Sequence, residues 1–281
     1  MIFSAALIAL FTVNVQASYR YIPQANNKVG LTLGGQIWQS EAGGRLGEQN
    51  ALADFNLKKE QQINFFVAIE HPFPLLPNVR ISNTTLDATG KTTLTQAFSF
   101  GDETFPIGDD VNARFNVSYV DYTLYYPLFD TELFSFELGL SARSFNGAVI
   151  MTGAEIIEYE HDNIDYEQCH DPVHCELHST SDIPTGKIKT EKIAPMLYIA
   201  SNINLPLTGL NAFTQGNFLL QGDHSLYDYQ VGLAYDLVDS LVINVNLTLG
   251  YRVVTIEFED LKGLYTDLEF KGTFIGMMTH F

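Results

Sequence analysis

From Val29 to its end the chain repeats every second residue, and this rhythm is what most restricts its fold. In FSFELGLSAR, residues Phe134, Phe136, Leu138, Leu140 and Ala142 alternate with Ser135, Glu137, Gly139, Ser141 and Arg143. INVNLTLGYR sets Ile243, Val245, Leu247, Leu249 and Tyr251 against Asn244, Asn246, Thr248 and Arg252. VGLTLGGQIW, INFFVAIEH, VDYTLYY and YDYQVGLAY obey the same rule. Successive side chains of a strand point to opposite faces, so such alternation specifies strands with one apolar and one polar face. Residues 78–86, 193–204 and 210–221 read as less regular strands, and 266–281 as the terminal one. The total is about ten strands, with 8 or 12 as the neighbouring even counts. A longer hairpin over 147–160 and 184–192 would extend two strands or add two.

Two architectures share this pattern. In a soluble sandwich or lipocalin the apolar face points inward, whereas in a membrane barrel it points to lipid. The polar face here is rich in Gly, Ser, Thr, Asn and Gln and poor in Lys and Glu, unlike a solvated sheet. Aromatic residues gather near strand ends, and Trp38, Phe65, Tyr122, Tyr126, Phe134, Tyr227 and Tyr235 read as interfacial girdles. Only 17% of residues are charged, yet there are 20 Phe and 14 Tyr. Connections alternate between short ones (71–78, 127–133, 206–210, 236–241) and long polar ones (42–60, 87–114, 146–190), with tighter ones near 222–226 and 258–265. Short turns at one rim and long loops at the other are the habit of outer-membrane barrels. The expected fold is therefore all-β: a single antiparallel transmembrane barrel. No domain boundary interrupts residues 18–281.

The two ends fit export. Ile2 to Val13 is an apolar stretch of h-region length, and Val15-Gln16-Ala17 has the small-x-small form of a cleavage site. We read 1–17 as a signal peptide, although its n-region lacks Lys and Arg. No later apolar run approaches the roughly 20 residues of a helical span. At the other end, KGTFIGMMTHF finishes on an aromatic residue, Phe281. A closed barrel must pair its last strand with its first, because an open edge in lipid leaves backbone groups unsatisfied.

These residues resemble those of Gram-negative outer-membrane β-barrels, whose terminal aromatic strand is read by the barrel-assembly machinery. Within that class the chain resembles the family named for paired glycines in its N-terminal strand. GGQIWQSEAGG (34–44), EHPFPLLPNVR (70–80), DYTLYY (121–126), LGLSAR (138–143) and LYDYQVGLAY (226–235) carry the likeness. The resemblance implies an integral barrel in the cell outer membrane, in contact with its lipid and lipopolysaccharide. It implies no established biochemical activity.

Chemistry concentrates in three places. The lumen face is expected to hold Glu70, Arg80, Asp121, Glu137, Arg143 and Arg252, either as ion pairs that plug a narrow barrel or as the lining of a selective pore. The 155–178 segment holds eight acids, four His, both cysteines and no Lys or Arg. Cys169 and Cys175 bracket a short loop and suit a disulfide in an oxidising compartment. The alternative is a metal site using His170, His174 and His178 with the thiolates. Thirdly, Asp223, His224 and Asp228 lie near an outer hairpin, where a His with two carboxylates can act as a general base.

GxSxG, HExxH and P-loop signatures are absent, and the net charge of −18 argues against a nucleic-acid partner. No cofactor is expected. The leading expectation is a non-enzymic structural barrel or narrow small-solute channel. A surface hydrolase at the extracellular rim and a secreted β-sandwich or lipid carrier are the alternatives.

Overall fold

The computed structural model describes residues 29–48, 51–154, 156–159, 179–219, 225–240, 242–261 and 264–281. The signal segment, Cys169, Cys175, His170, His174, His178, Asp223 and His224 lie outside the described residues. The described residues form fifteen strands. The first eight are β1 (Gly30–Glu48), β2 (Ala51–Asp54), β3 (Glu60–Glu70), β4 (Asn78–Thr93), β5 (Phe98–Phe100), β6 (Glu103–Phe105), β7 (Asp110–Asp130) and β8 (Phe134–Thr152). The remainder are β9 (Ile156–Tyr159), β10 (Ser179–Asp182), β11 (Thr185–Leu205), β12 (Leu210–Leu219), β13 (Leu226–Asp239), β14 (Asn244–Leu261) and β15 (Leu264–His280).

Ten of them, β1, β3, β4, β7, β8 and β11 to β15, make an antiparallel sheet that closes where β15 pairs with β1. Closure runs to the last residue: the Phe281 N–H donates to the Leu31 carbonyl at 2.9 Å. β2 pairs with β1 above β3, so β2 and β3 act as one interrupted barrel strand. Tight turns close the strands at one rim. At 131–134, for instance, the Thr131 N–H donates to the Phe134 carbonyl at 2.9 Å.

The alternation persists along the sheet, but on the long strands its polarity inverts part-way. On β7, Val120, Tyr122, Leu124 and Tyr126 face outward and Asp121 and Thr123 inward. Further up the same strand, Val111, Ala113, Phe115 and Val117 are the buried residues, while Asn112, Arg114 and Asn116 are exposed. β4 changes over between Ile81 and Leu86, and β14 between Arg252 and Val254. Below the change the barrel has the polar interior and apolar exterior of a membrane protein. Above it the barrel has the apolar interior and polar exterior of a soluble one. The outward apolar stretch on β7, Val120 to Leu128, spans about the 9–11 residues a tilted strand needs to cross the hydrocarbon.

The structure corrects two expectations. Much of the segments read as the long connections 42–60 and 87–114 is strand, since β1, β4 and β7 extend well past the lipid-facing belt. In 146–190, by contrast, the hairpin expected over 147–160 and 184–192 does extend two strands, β8 and β11. Trp38 belongs to no girdle, since it shares the inward phase of Gln36 and Ser40 and is 1% exposed. Phe65, Tyr122, Tyr126, Phe134 and Tyr235 do face outward.

The inversion sets a direct expectation. Leu124→Arg, in the middle of the apolar belt, should destabilise the barrel in bilayers by about 2–4 kcal/mol. Asn112→Arg, outward-facing on the same strand but above the change, should cost nearly nothing. Urea midpoints of the two variants refolded into liposomes make the comparison.

Candidate functional site: the lumen

The sheet brings inward-pointing residues of distant segments together in three tiers. The uppermost tier is apolar. The β5–β6 hairpin, turning at Gly101 with a left-handed φ of 64°, folds its aromatic residues into the barrel. Phe98 sits 6.3 Å from Phe55, 6.1 Å from Phe100 and 6.5 Å from Phe105, ring centroid to ring centroid. Beneath them Phe115 and Phe270 (5.7 Å) and Phe145 and Phe258 (5.6 Å) meet across the interior. Outside this tier the surface is charged. Lys91 and Asp110 pair at 2.8 Å, and hydrogen bonds from Lys91 and Thr93 hold the Asp110 carboxyl below its usual range.

The middle tier is ionic. Arg143 binds Asp121 bidentately, Nε to Oδ1 at 2.7 Å and Nη2 to Oδ2 at 2.8 Å. Its Nη2 also donates to Asp228 Oδ2 at 2.9 Å. Arg252 grips both oxygens of Asp228, at 2.9 and 2.7 Å. The Tyr119 hydroxyl donates to Asp228 Oδ2 at 2.8 Å. Arg143 lies 3.8 Å from the Tyr119 ring centroid, and Arg252 donates to Thr84 Oγ1 at 3.2 Å. Two arginines against two aspartates balance in charge, as a desolvated cluster requires. The void beside this tier measures about 10 Å³.

The lowest tier, toward the short turns, is a partly open cavity of about 100 Å³. The Tyr125 hydroxyl donates to Glu70 Oε1 and the Tyr198 hydroxyl to Glu137 Oε2, each at 3.0 Å, with the two rings 5.5 Å apart. Arg80 lies flat on Phe66, 3.5 Å from its centroid. Gly34, the first of the paired glycines, is where Phe66 comes to rest: a Cβ there would occupy the ring's edge.

All six residues assigned to the lumen face point inward, in two groups: Asp121, Arg143 and Arg252 in the ionic tier, and Glu70, Arg80 and Glu137 in the cavity. Asp228 is displaced from the rim role expected of it. Asp228 pairs in register with Asn217 and Val254, well below the top of β14. Both its oxygens are engaged by arginine. Sequence reasoning missed Tyr119, although it stands two residues from Asp121 in the same inward phase. Among the described residues no cluster of three or more His, Cys, Asp or Glu is placed to hold a metal ion.

A closed antiparallel barrel with an apolar outer belt and a polar lower lumen is a transmembrane β-barrel. The solved structures it resembles are Gram-negative outer-membrane barrels. The outer-membrane protease OmpT of Escherichia coli superposes with a TM-score of 0.52 at 10% identity, covering 90% of this chain and 97% of that one. Neisserial surface protein A aligns over 88% of this chain and 95% of its own at 9% identity, with a TM-score of 0.31. The attachment invasion locus protein of Yersinia pestis aligns over 90% and 99% at 11% identity, again at 0.31. No protein-family model matches the chain, and no curated protein does. The likeness to solved structures is one of fold, and the paired-glycine resemblance rests on the sequence motifs alone.

Proposed function

We propose that this chain is an integral outer-membrane protein whose barrel is sealed against ion flow, a structural barrel that carries a folded β-extension above the membrane. One observation carries the reading: the ionic tier and the apolar tier are stacked, so a path through the lumen meets buried salt bridges and then a packed aromatic core. Conducting pores instead keep a wetted, polar-lined passage. On this reading a signal peptide directs export, and the strand ending in Phe281 is the segment offered to the barrel-assembly machinery. Lipid and lipopolysaccharide surround the apolar belt.

OmpT is a protease, but 10% identity carries no activity across. The one described member of the expected rim trio, Asp228, is committed to Arg143 and Arg252. Nothing among the described residues favours a hydrolase.

Planar-bilayer recording tests the proposal. Refolded protein, shown to be inserted by its resistance to SDS before heating, is expected to give no discrete current steps. Regular steps from such protein would make it a channel and overturn the sealed reading.

A further inference from the structure

The cavity on the turn side is more than an incomplete filling of the barrel. We infer that it is a binding site for a small organic ammonium ion, reached from the periplasmic rim. It goes beyond the sealed-barrel reading and does not depend on it.

The acceptors there outnumber the donors. Glu70 and Glu137 are each held by one tyrosine hydroxyl. Glu70 Oε2 and Asn202 Oδ1, two acceptors, are buried without a hydrogen-bond partner, against one such donor, Arg80 Nε, and all three residues line the cavity. Arg80 shares the cavity and its charge is felt there, but it stacks on Phe66, and among the described residues it makes no hydrogen bond or ion pair with either glutamate. Two carboxylates and one guanidinium give a formal excess of one negative charge. The missing group is therefore a cation with several donors.

A protonated primary amine has three N–H donors, matching Glu70, Glu137 and Asn202. Calcium takes about 6–8 oxygen ligands, whereas only two buried acceptors here lack a partner. The rest of the lining includes Ala200, Phe213 and Met278, apolar surfaces suited to a short alkyl chain. A cavity of about 150 Å³ accommodates benzene, so roughly 100 Å³ suits a chain of about four carbons.

Titration calorimetry of the refolded full-length chain in detergent micelles tests this with n-butylammonium chloride, against n-butanol and sodium chloride. Saturable binding of butylammonium is expected, with no heat from butanol at matched concentration. Glu137→Gln keeps the shape of the site and should weaken binding about tenfold or more, by removing a charged acceptor. Asn202→Leu serves as a second variant if Glu137→Gln fails to refold. Butanol binding as tightly as butylammonium would overturn the inference, as would wild-type affinity in the refolded variants. Complete displacement of butylammonium by sodium at equal concentration would show an inorganic cation site and also overturn it. Loss of amine binding leaves the conductance result untouched, so this inference and the sealed reading fail separately.

Discussion

Asp228→Ala is expected to destabilise the barrel by about 3–5 kcal/mol, the cost of leaving buried charge without its partner. Asp228 alone touches both arginines and Tyr119, and it is 5% exposed. Its removal leaves Arg252 without any carboxylate and Arg143 with Asp121 only. The apolar tier above and a void of only about 10 Å³ alongside leave little water to solvate either guanidinium. Asp121→Ala should cost less, since Arg143 would still hold Asp228. Urea midpoints in detergent micelles, with the SDS mobility shift as a second probe, read out the difference. A midpoint for Asp228→Ala within about 1 kcal/mol of the parent would mean that the ionic tier is hydrated and loosely held.

The second large effect belongs to the aromatic tier. Phe98→Ala should cost about 3–5 kcal/mol, the usual penalty for emptying a fully buried phenylalanine site. Phe98 is 1% exposed and contacts Phe55, Phe100 and Phe105, so its loss removes the centre of the cluster rather than its rim. Part of the effect should appear as local opening, because Phe98 is the ring of the β5–β6 hairpin that meets Phe55 of the barrel. Proteolysis within 94–109 should accelerate while the lipid-facing belt stays protected. Phe65→Ala provides the contrast: Phe65 is 55% exposed on the lipid face and seats no hairpin. Equal protease resistance of Phe98→Ala and the parent would argue that the hairpin is held by something other than its aromatic core.

Both effects trace to the polarity inversion, which also explains what could be read from the sequence. Within the belt, segments such as FSFELGLSAR present apolar residues outward with no competing requirement, and their strands were legible. DVNARFNV has the same period with the roles exchanged, Val111, Ala113, Phe115 and Val117 inward. Placed in a stretch of polar composition, it reads as part of a loop. KIKTEK, early in β11, carries the same exchanged pattern, with Lys187 and Lys189 facing solvent and Ile188 the core, and the sequence offered it only as the arm of a hairpin that would extend a strand or add one. FSFGDETF is a hairpin signal around Gly101-Asp102, but nothing local says that its phenylalanines fold inward.

Side-chain phase served the site well and loop position served it badly. Asp121, Arg143 and Arg252 follow from counting by twos along strands already identified. Asp228 was assigned by its nearness to a turn, and the depth of that turn depends on the length of the neighbouring hairpins, which no short segment encodes. Trp38 shows the same error: its size suggests a girdle, whereas its phase with Gln36 and Ser40 places it inside.

The lipid is expected to end part-way up the long strands, where a β-extension with an apolar core begins. A nitroxide scan at the outward positions of β7, from Asn112 to Tyr126, tests it in liposomes. The account predicts high oxygen accessibility at positions 120, 122, 124 and 126, and a change to high accessibility for a water-soluble nickel reagent at 112, 114 and 116. Oxygen accessibility continuing up to Asn112 would place the whole strand in the bilayer and contradict the account.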